Sequence, residues 1–208
     1  MNLRPSKIVC VGKNYLDHAR EMGSEVPPEP LLFLKPPSAL IASGQAIVLP
    51  PLSTHVEHEA EIGVVIATRL VRANETDAMR GVAGFVCLND VTARDWQKRE
   101  SQWARAKGFD TFCPAGPEVV NGLDWRSLEV LGRVNGVVRQ HGKAADMAYG
   151  IPFLISHISH VMTLEPGDLI ATGTPSGVGR LAPGDVVEVE IPGVGVLRNP
   201  VVAGGRDQ

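Results

Sequence analysis

The chain of 208 residues is poor in the features that mark specialised proteins. Its three cysteines, Cys10, Cys87 and Cys113, are odd in number and widely spaced. That excludes a disulfide framework and points to a reducing, cytoplasmic setting, with each thiol read as a small core residue. The formal net charge is -3, and no basic run carries interleaved aromatics, so nucleic acid is excluded as a main partner. Apolar stretches reach only about ten residues before Gly or a polar side chain breaks them, well short of the roughly 18–20 needed to cross a bilayer. No membrane-spanning segment is therefore expected. The opening "MNLRPSKIVCVGKNY" runs too quickly into Gly and charge to read as a signal peptide. There is no internal repeat and no low-complexity tract, and the length predicts a single domain over residues 1–208.

Glycine (22) and proline (16) are plentiful and spread as punctuation, in "KPPSAL", "LPPLS", "CPAGPEV", "LEPGDL", "TPSGVG", "APGDVV" and "IPGVG". Turn signals this frequent between short β-branched runs predict a strand-rich fold. Strands are expected at 7–11, in "LLFLK", "AIVLP" and "GFVCLNDVTA", over about 55–67, and in "LIATGTP" and "GDVVEVEI". A short helix is expected after Asn14 as its cap, ending at Gly23, and another begins near Asn74. "ARDWQKRESQWARAKG" is polar and partly helical. Asn135-Gly136 sits between two β-type runs and predicts a hairpin. One longer helix covers 151–162, where Ile151, Leu154, Ile155, Ile158 and Met162 recur at helical spacing and Pro152 stands near the start. The tail "GVGVLRNPVV" reads as a second short strand pair. Few helices and no βαβ alternation favour a mixed or mainly antiparallel β architecture over a doubly wound sheet.

The stretch "THVEHEAEIGVVI" (54–66) carries the chemistry. As a regular strand it places Glu57, Glu59 and Glu61 on one face, with Val56, His58, Ile62, Val64 and Ile66 on the other. Two long carboxylates separated by one residue can converge on one ion, and Asp90 in "CLNDVTARD" is a candidate third. An all-oxygen donor set selects a hard cation, Mg²⁺, Mn²⁺ or Ca²⁺, rather than Zn²⁺. The competing reading is a solvated acidic strand face. His58 points away from the carboxylates in a regular strand, which suits a structural role.

Six segments, "VGKNYLDHAREMG", "LFLKPPSALI", "HVEHEAEIGVVI", "NDVTARDWQ", "WARAKGFDTFCPAGP" and "LIATGTPSGVG", occur in this order. Together they resemble the fumarylacetoacetate hydrolase family, in its short single-domain branch, over about residues 5–200. That branch includes acylpyruvate and fumarylpyruvate hydrolases, oxaloacetate decarboxylases and hydroxyheptadienedioate isomerases. The resemblance implies a mainly β fold with flanking helices (α+β), a twisted β-roll like the family's C-terminal domain, usually a homodimer. It implies Mg²⁺ or Mn²⁺, with Ca²⁺ also compatible, held by Glu59, Glu61 and Asp90, and it makes Glu57 a non-ligand. It further implies a catalytic dyad of His18 and Glu21 and polar groups on the substrate at Arg94, Gln97, Lys107 and Thr174. The reaction this favours is hydrolysis of a C–C bond in a 2,4-dioxo acid, an acylpyruvate or fumarylpyruvate, with His18 as base for the water and Lys107 as a donor to developing oxyanions. Isomerisation, decarboxylation of oxaloacetate and a non-catalytic metal-stabilised protein are the alternatives.

Overall fold

The computed structural model describes residues 3–205. In chain order the elements are β1 (Ile8–Gly12), α1 (Leu16–Glu21), β2 (Leu31–Lys35), β3 (Leu40–Ile41), β4 (Ile47–Leu49), β5 (Val56–His58) and β6 (Ala60–Ile66). Next come α2 (Glu75–Arg80), β7 (Val82–Asn89), β8 (Thr92–Ala93), α3 (Arg94–Arg99), α4 (Ala104–Lys107), β9 (Cys113–Val120), β10 (Glu129–Val134) and β11 (Val137–Lys143). The last are α5 (Ile151–Val161), β12 (Leu169–Ala171), β13 (Gly179–Arg180), β14 (Val186–Ile191) and β15 (Gly195–Ala203).

A curled seven-stranded sheet, in the order β2-β1-β12-β6-β7-β9-β3, packs against a five-stranded sheet, β11-β10-β14-β15-β4. A small three-stranded sheet, β13-β5-β8, closes one side. The fold is mainly β with few helices, as the turn-rich sequence predicts. Pairing is mostly antiparallel, with β1–β12, β3–β9 and β4–β15 parallel.

Strand β6 is buried along its whole length because it is covered on both faces. Ala60, Ile62, Val64 and Ile66 face the second sheet and α5, where Val130, Val189, Ile191 and Leu197 meet Ile151, Ile155 and Ile158. Val65 faces a separate cluster with Ile8, Cys10, Val86 and Leu169. Burying each such aliphatic side chain contributes about 2 kcal/mol relative to exposure. Helix α5 follows its 3.6-residue period: Ile151, Leu154, Ile155 and Ile158 are buried, and Pro152 occupies the first turn where its missing N–H costs nothing. At the β10–β11 hairpin, Asn135 (φ 53°) and Gly136 (φ 76°) both adopt the left-handed region that a tight hairpin turn requires. No described helix is long and apolar enough to cross a membrane.

Three local expectations are corrected. Asn14 does not cap α1. Its amide donates to Tyr149 O (3.1 Å) and Thr172 O (2.8 Å), tying the entry of α1 to the end of β12, while Tyr15 occupies the capping position without a side-chain bond. The strand expected over 55–67 is broken at Glu59 into β5 and β6, which belong to different sheets. The tail is one nine-residue strand, β15, pairing with β14 along one edge and β4 along the other.

Candidate active site

The break at Glu59 decides where the acidic side chains go. Asn89 Oδ1 accepts from Glu59 N (3.0 Å) and Glu59 O accepts from Asp90 N (2.9 Å), so the ends of β5 and β7 are locked together where the chain changes sheet. The glutamates therefore do not form one continuous face. Glu57 turns to Arg94 Nε (2.7 Å) and His55 Nε2 (2.8 Å). Glu59 and Glu61 turn inward to Asp90, and one oxygen of each of these three buried groups lies within 4.8 Å of the others. The exposed-face reading is excluded by burial: Glu59, Glu61 and Asp90 are 4%, 2% and 1% exposed.

Three buried cations surround this group, and their bonds within it run to Glu59 and Asp90. Lys107 Nζ, at the end of α4, donates to Glu59 Oε2 (2.8 Å) and Asp90 Oδ2 (2.7 Å). Arg94 Nη2 donates to Glu59 Oε1 (2.6 Å). Lys35 Nζ, ending β2, donates to Asp90 Oδ1 and to Val91 O. Burial alone would raise the Glu59 carboxyl, but Lys107 and Arg94 outweigh it and hold Glu59 well below the usual carboxylate range. The Lys107 ammonium, opposed by burial but faced by Asp90 and Glu59, is pushed upward and stays charged.

Glu61 is different. Its Oε2 accepts from Gly173 N (2.7 Å), and no cation pairs with it among the described residues. Burial, then the charges of Asp90 and Glu59, push its carboxyl far above the ordinary range. A dication at the point where the three carboxylates converge would relieve that repulsion. The donor set fits a hard cation: it is all oxygen, buried and open to a cavity.

That cavity has a volume of about 160 Å³, and Glu59, Glu61, Asp90, His18, Arg94, Gln97, Lys107 and Thr174 all line it. Glu21 stands behind His18: His18 Nδ1 lies 3.1 Å from Glu21 Oε2, and Gly177 N donates to the same carboxylate (3.0 Å to Oε1). With Nδ1–H donated to Glu21, the His18 Nε2 lone pair is free for the cavity. Arg94 spends its three nitrogens on Glu57, Glu59 and Gln97. Because Gln97 Oε1 takes one of those bonds, the Gln97 amide N–H group is the part left to donate.

Sequence reasoning missed several lining groups. Phe33, Trp103 and Met22 form an apolar wall, with Phe33 and Trp103 edge to face at 5.3 Å. Lys13 and Lys98 add cationic groups at the rim, Lys13 in a left-handed conformation (φ 58°) uncommon for a non-glycine residue. Lys35 is the deepest omission. Its signal was an apolar strand, "LLFLK", ending in a single charge before Pro-Pro.

This roll, with a buried carboxylate triad beside a His–Glu pair, defines the class. The chain belongs to the fumarylacetoacetate hydrolase family: residues 7–202 match the model of the fumarylacetoacetate (FAA) hydrolase C-terminal domain. The human mitochondrial oxaloacetate tautomerase FAHD2A is 44% identical over 96% of this chain and 67% of its own length. Among solved structures, a 5-carboxymethyl-2-hydroxymuconate delta-isomerase from Mycobacterium smegmatis superposes with a TM-score of 0.91 at 44% identity, covering 97% of this chain and 80% of that one. A fumarylacetoacetate hydrolase from psychrophilic Exiguobacterium antarcticum gives a TM-score of 0.89 at 39% identity, over 97% and 76%.

Proposed function

We propose that this enzyme moves protons on a small 2-oxo acid at a Mg²⁺- or Mn²⁺-bearing carboxylate centre, interconverting keto and enol forms as a tautomerase or isomerase. The observation that carries the reading is that His18, oriented by Glu21, faces the same small cavity as Glu59, Glu61 and Asp90. These three carboxylates would hold the ion, which when bound supplies Lewis acidity to the substrate's oxygens.

The chain's own groups then have definite tasks. His18 Nε2 removes a proton from C3 and returns it to the enol oxygen or a remote carbon, and Glu21 stabilises the imidazolium formed between the two transfers. Lys107 uses two N–H bonds on Glu59 and Asp90, which leaves its third for a substrate oxygen. The Gln97 amide is a further donor to developing negative charge. Three buried cations pair with Glu59 and Asp90, and none pairs with Glu61 among the described residues. The charge of an added dication would thus be met first by Glu61 and then by the substrate's own carboxylate. Trp103, Phe33 and Met22 keep the far side of the cavity apolar.

Hydrolytic C3–C4 cleavage of an acylpyruvate or fumarylpyruvate, the reaction expected from the sequence, is the second reading. It is supported by the same His18 Nε2, which can take its proton from water instead, and by the hydrolase name of the Exiguobacterium relative. Proton transfer ranks first because the human and mycobacterial relatives are named for tautomerisation and isomerisation. A homodimer is part of this proposal, checked by light scattering.

The deciding experiment is a panel of oxaloacetate, acetylpyruvate and fumarylpyruvate with Mg²⁺ or Mn²⁺, followed by near-ultraviolet enol absorbance and product analysis. Proton transfer predicts faster enol–keto exchange of oxaloacetate without pyruvate release, slowed about 10²- to 10⁴-fold in His18→Ala. Pyruvate with a free acid establishes hydrolysis, and pyruvate with CO₂ establishes decarboxylation. No turnover of any of the three supports the non-catalytic reading.

A further inference from the structure

Strand β11 is mostly exposed, yet one of its residues, Gln140, is 1% exposed and carries a full set of hydrogen bonds. Its Oε1 accepts from Ala60 N (2.9 Å) and meets His58 Nδ1 (2.9 Å). Its Nε2 donates to Thr174 Oγ1 (2.7 Å) and Pro175 O (2.7 Å). The orientation of the amide is forced, because a backbone N–H can only donate and a carbonyl can only accept. It follows that His58 carries its proton on Nδ1.

The backbone is shaped to admit this side chain. A Cβ on Gly132 would lie 2.9 Å from Ala60 Cβ and 3.1 Å from Gln140 Oε1, closing the path to β6. Gly177 has φ +99°, and a Cβ there would meet Arg139 O at 2.0 Å, so the 173–177 loop could not lie against β11.

The bonds form a closed circuit around one residue. Gln140 holds Ala60 N. Thr174 Oγ1 donates to Ala60 O (2.9 Å) and accepts from Gln140. Both peptide groups of Ala60 are thereby pinned, and Ala60 stands between Glu59 and Glu61. The same loop continues to Gly177, whose N–H holds Glu21 and through it His18.

We infer that Gln140 is the positioning residue of this site: its acceptor arm sets the bite of Glu59 and Glu61, and its donor arm sets Thr174 and the His18–Glu21 pair relative to them. The inference rests on the reading of Glu59, Glu61 and Asp90 as a metal centre. Gln140 itself is not among the residues that line the cavity.

Two substitutions separate the arms. Gln140→Met keeps the length and removes both. Gln140→Glu keeps the acceptor and removes the donors. Binding is read by electron paramagnetic resonance of free Mn²⁺, and turnover with oxaloacetate at saturating Mn²⁺. Gln140→Met should weaken Mn²⁺ binding about 10-fold or more and lower kcat by a similar factor, the usual cost of losing a group that orients metal ligands. Gln140→Glu should lower kcat comparably while binding Mn²⁺ as tightly as wild type, to within about threefold. Wild-type Mn²⁺ affinity and kcat in both variants overturn the inference alone. Failure of the wild-type protein to bind Mn²⁺ overturns the metal reading and the inference with it. Should the variants not fold, nitrogen-15 spectra of the wild-type protein decide. The His58 proton on Nδ1 and slow exchange of the Gln140 amide protons support the network, and an Nε2 proton or a freely exchanging amide overturns it.

Discussion

Lys35 Nζ lies 2.5 Å from Asp90 Oδ1 in a part of the interior where the two side chains are 0% and 1% exposed. Two charges so placed have given up their hydration and depend on each other. The pair also occupies one oxygen of Asp90, which leaves Oδ2 for Lys107 and for an ion.

Lys35→Met therefore leaves Asp90 Oδ1 buried without its donor, with Lys107 on Oδ2 as the cation that remains. The expected cost is about 3 kcal/mol, the low end of the range for breaking a buried pair from one side. Thermal unfolding in EDTA should show it as a large fall in Tm, and Mn²⁺ should recover part of the loss by giving Asp90 a new partner. A Tm equal to wild type in EDTA would refute the structural role of the pair.

Metal binding should itself appear as stability. An ion that binds only the folded chain stabilises it by about 2.7 kcal/mol at 100 times its Kd. For a domain of this size that is about 5–11 °C in Tm. Glu61→Gln removes the one carboxylate of the three that no cation pairs with, so its Tm should no longer respond to Mn²⁺, while its Tm in EDTA stays near or above that of wild type because repulsion within the triad has been relieved. A Tm response equal to wild type would exclude Glu61 as a ligand.

Glu21→Gln tests the dyad without touching the triad. The substituted amide can still accept from His18 but no longer carries the charge that stabilises the imidazolium. The pH–rate profile of oxaloacetate turnover should lose kcat by about 10²-fold, toward the lower end of what general acid–base groups contribute. Mn²⁺ affinity should be unchanged, since among the described residues Glu21 bonds His18 and Gly177 and none of the triad. Unaltered kcat would remove Glu21 from the mechanism.

The sequence announced the three carboxylates that cluster but not their environment. Hydrophobic period revealed α5, and Asn-Gly revealed the β10–β11 hairpin, because both signals are local. The three-glutamate face failed because alternation assumes an unbroken strand, whereas Asn89 pairs with Glu59 N across the sheet and splits the run. That partner is thirty residues away along the chain. Lys35 and Gln140 were invisible for the same reason: each looks like an ordinary polar residue on a strand until the fold brings Asp90 or Ala60 to it. Asn14 was misread as a cap because capping is a local rule, and two carbonyls from distant segments compete for its amide.

Asp168 supplies a stability term remote from the cavity. Its Oδ1 accepts from Ser6 N (2.9 Å), Ser6 Oγ (2.7 Å) and Lys7 N (3.1 Å), and its Oδ2 from Glu165 N (2.8 Å) and Lys7 Nζ. The carboxylate thus stitches the segment before β1 to the turn before β12. Burial acts to raise its pKa, but the bonds from Glu165, Lys7 and Ser6 prevail and hold it below the usual aspartate value. A group with a depressed folded value stabilises the fold fully above its unfolded pKa, about 3.9, and loses that contribution as pH falls through the folded value. Asp168→Asn should cost about 2 kcal/mol at pH 7, in line with hydrogen bonds to a charged acceptor. In urea unfolding of wild type and Asp168→Asn from pH 7 down to pH 3, the difference should hold constant to about pH 5 and narrow below pH 4. A difference that widens with acid would show that Asp168 is protonated in the folded chain and would reverse the assignment.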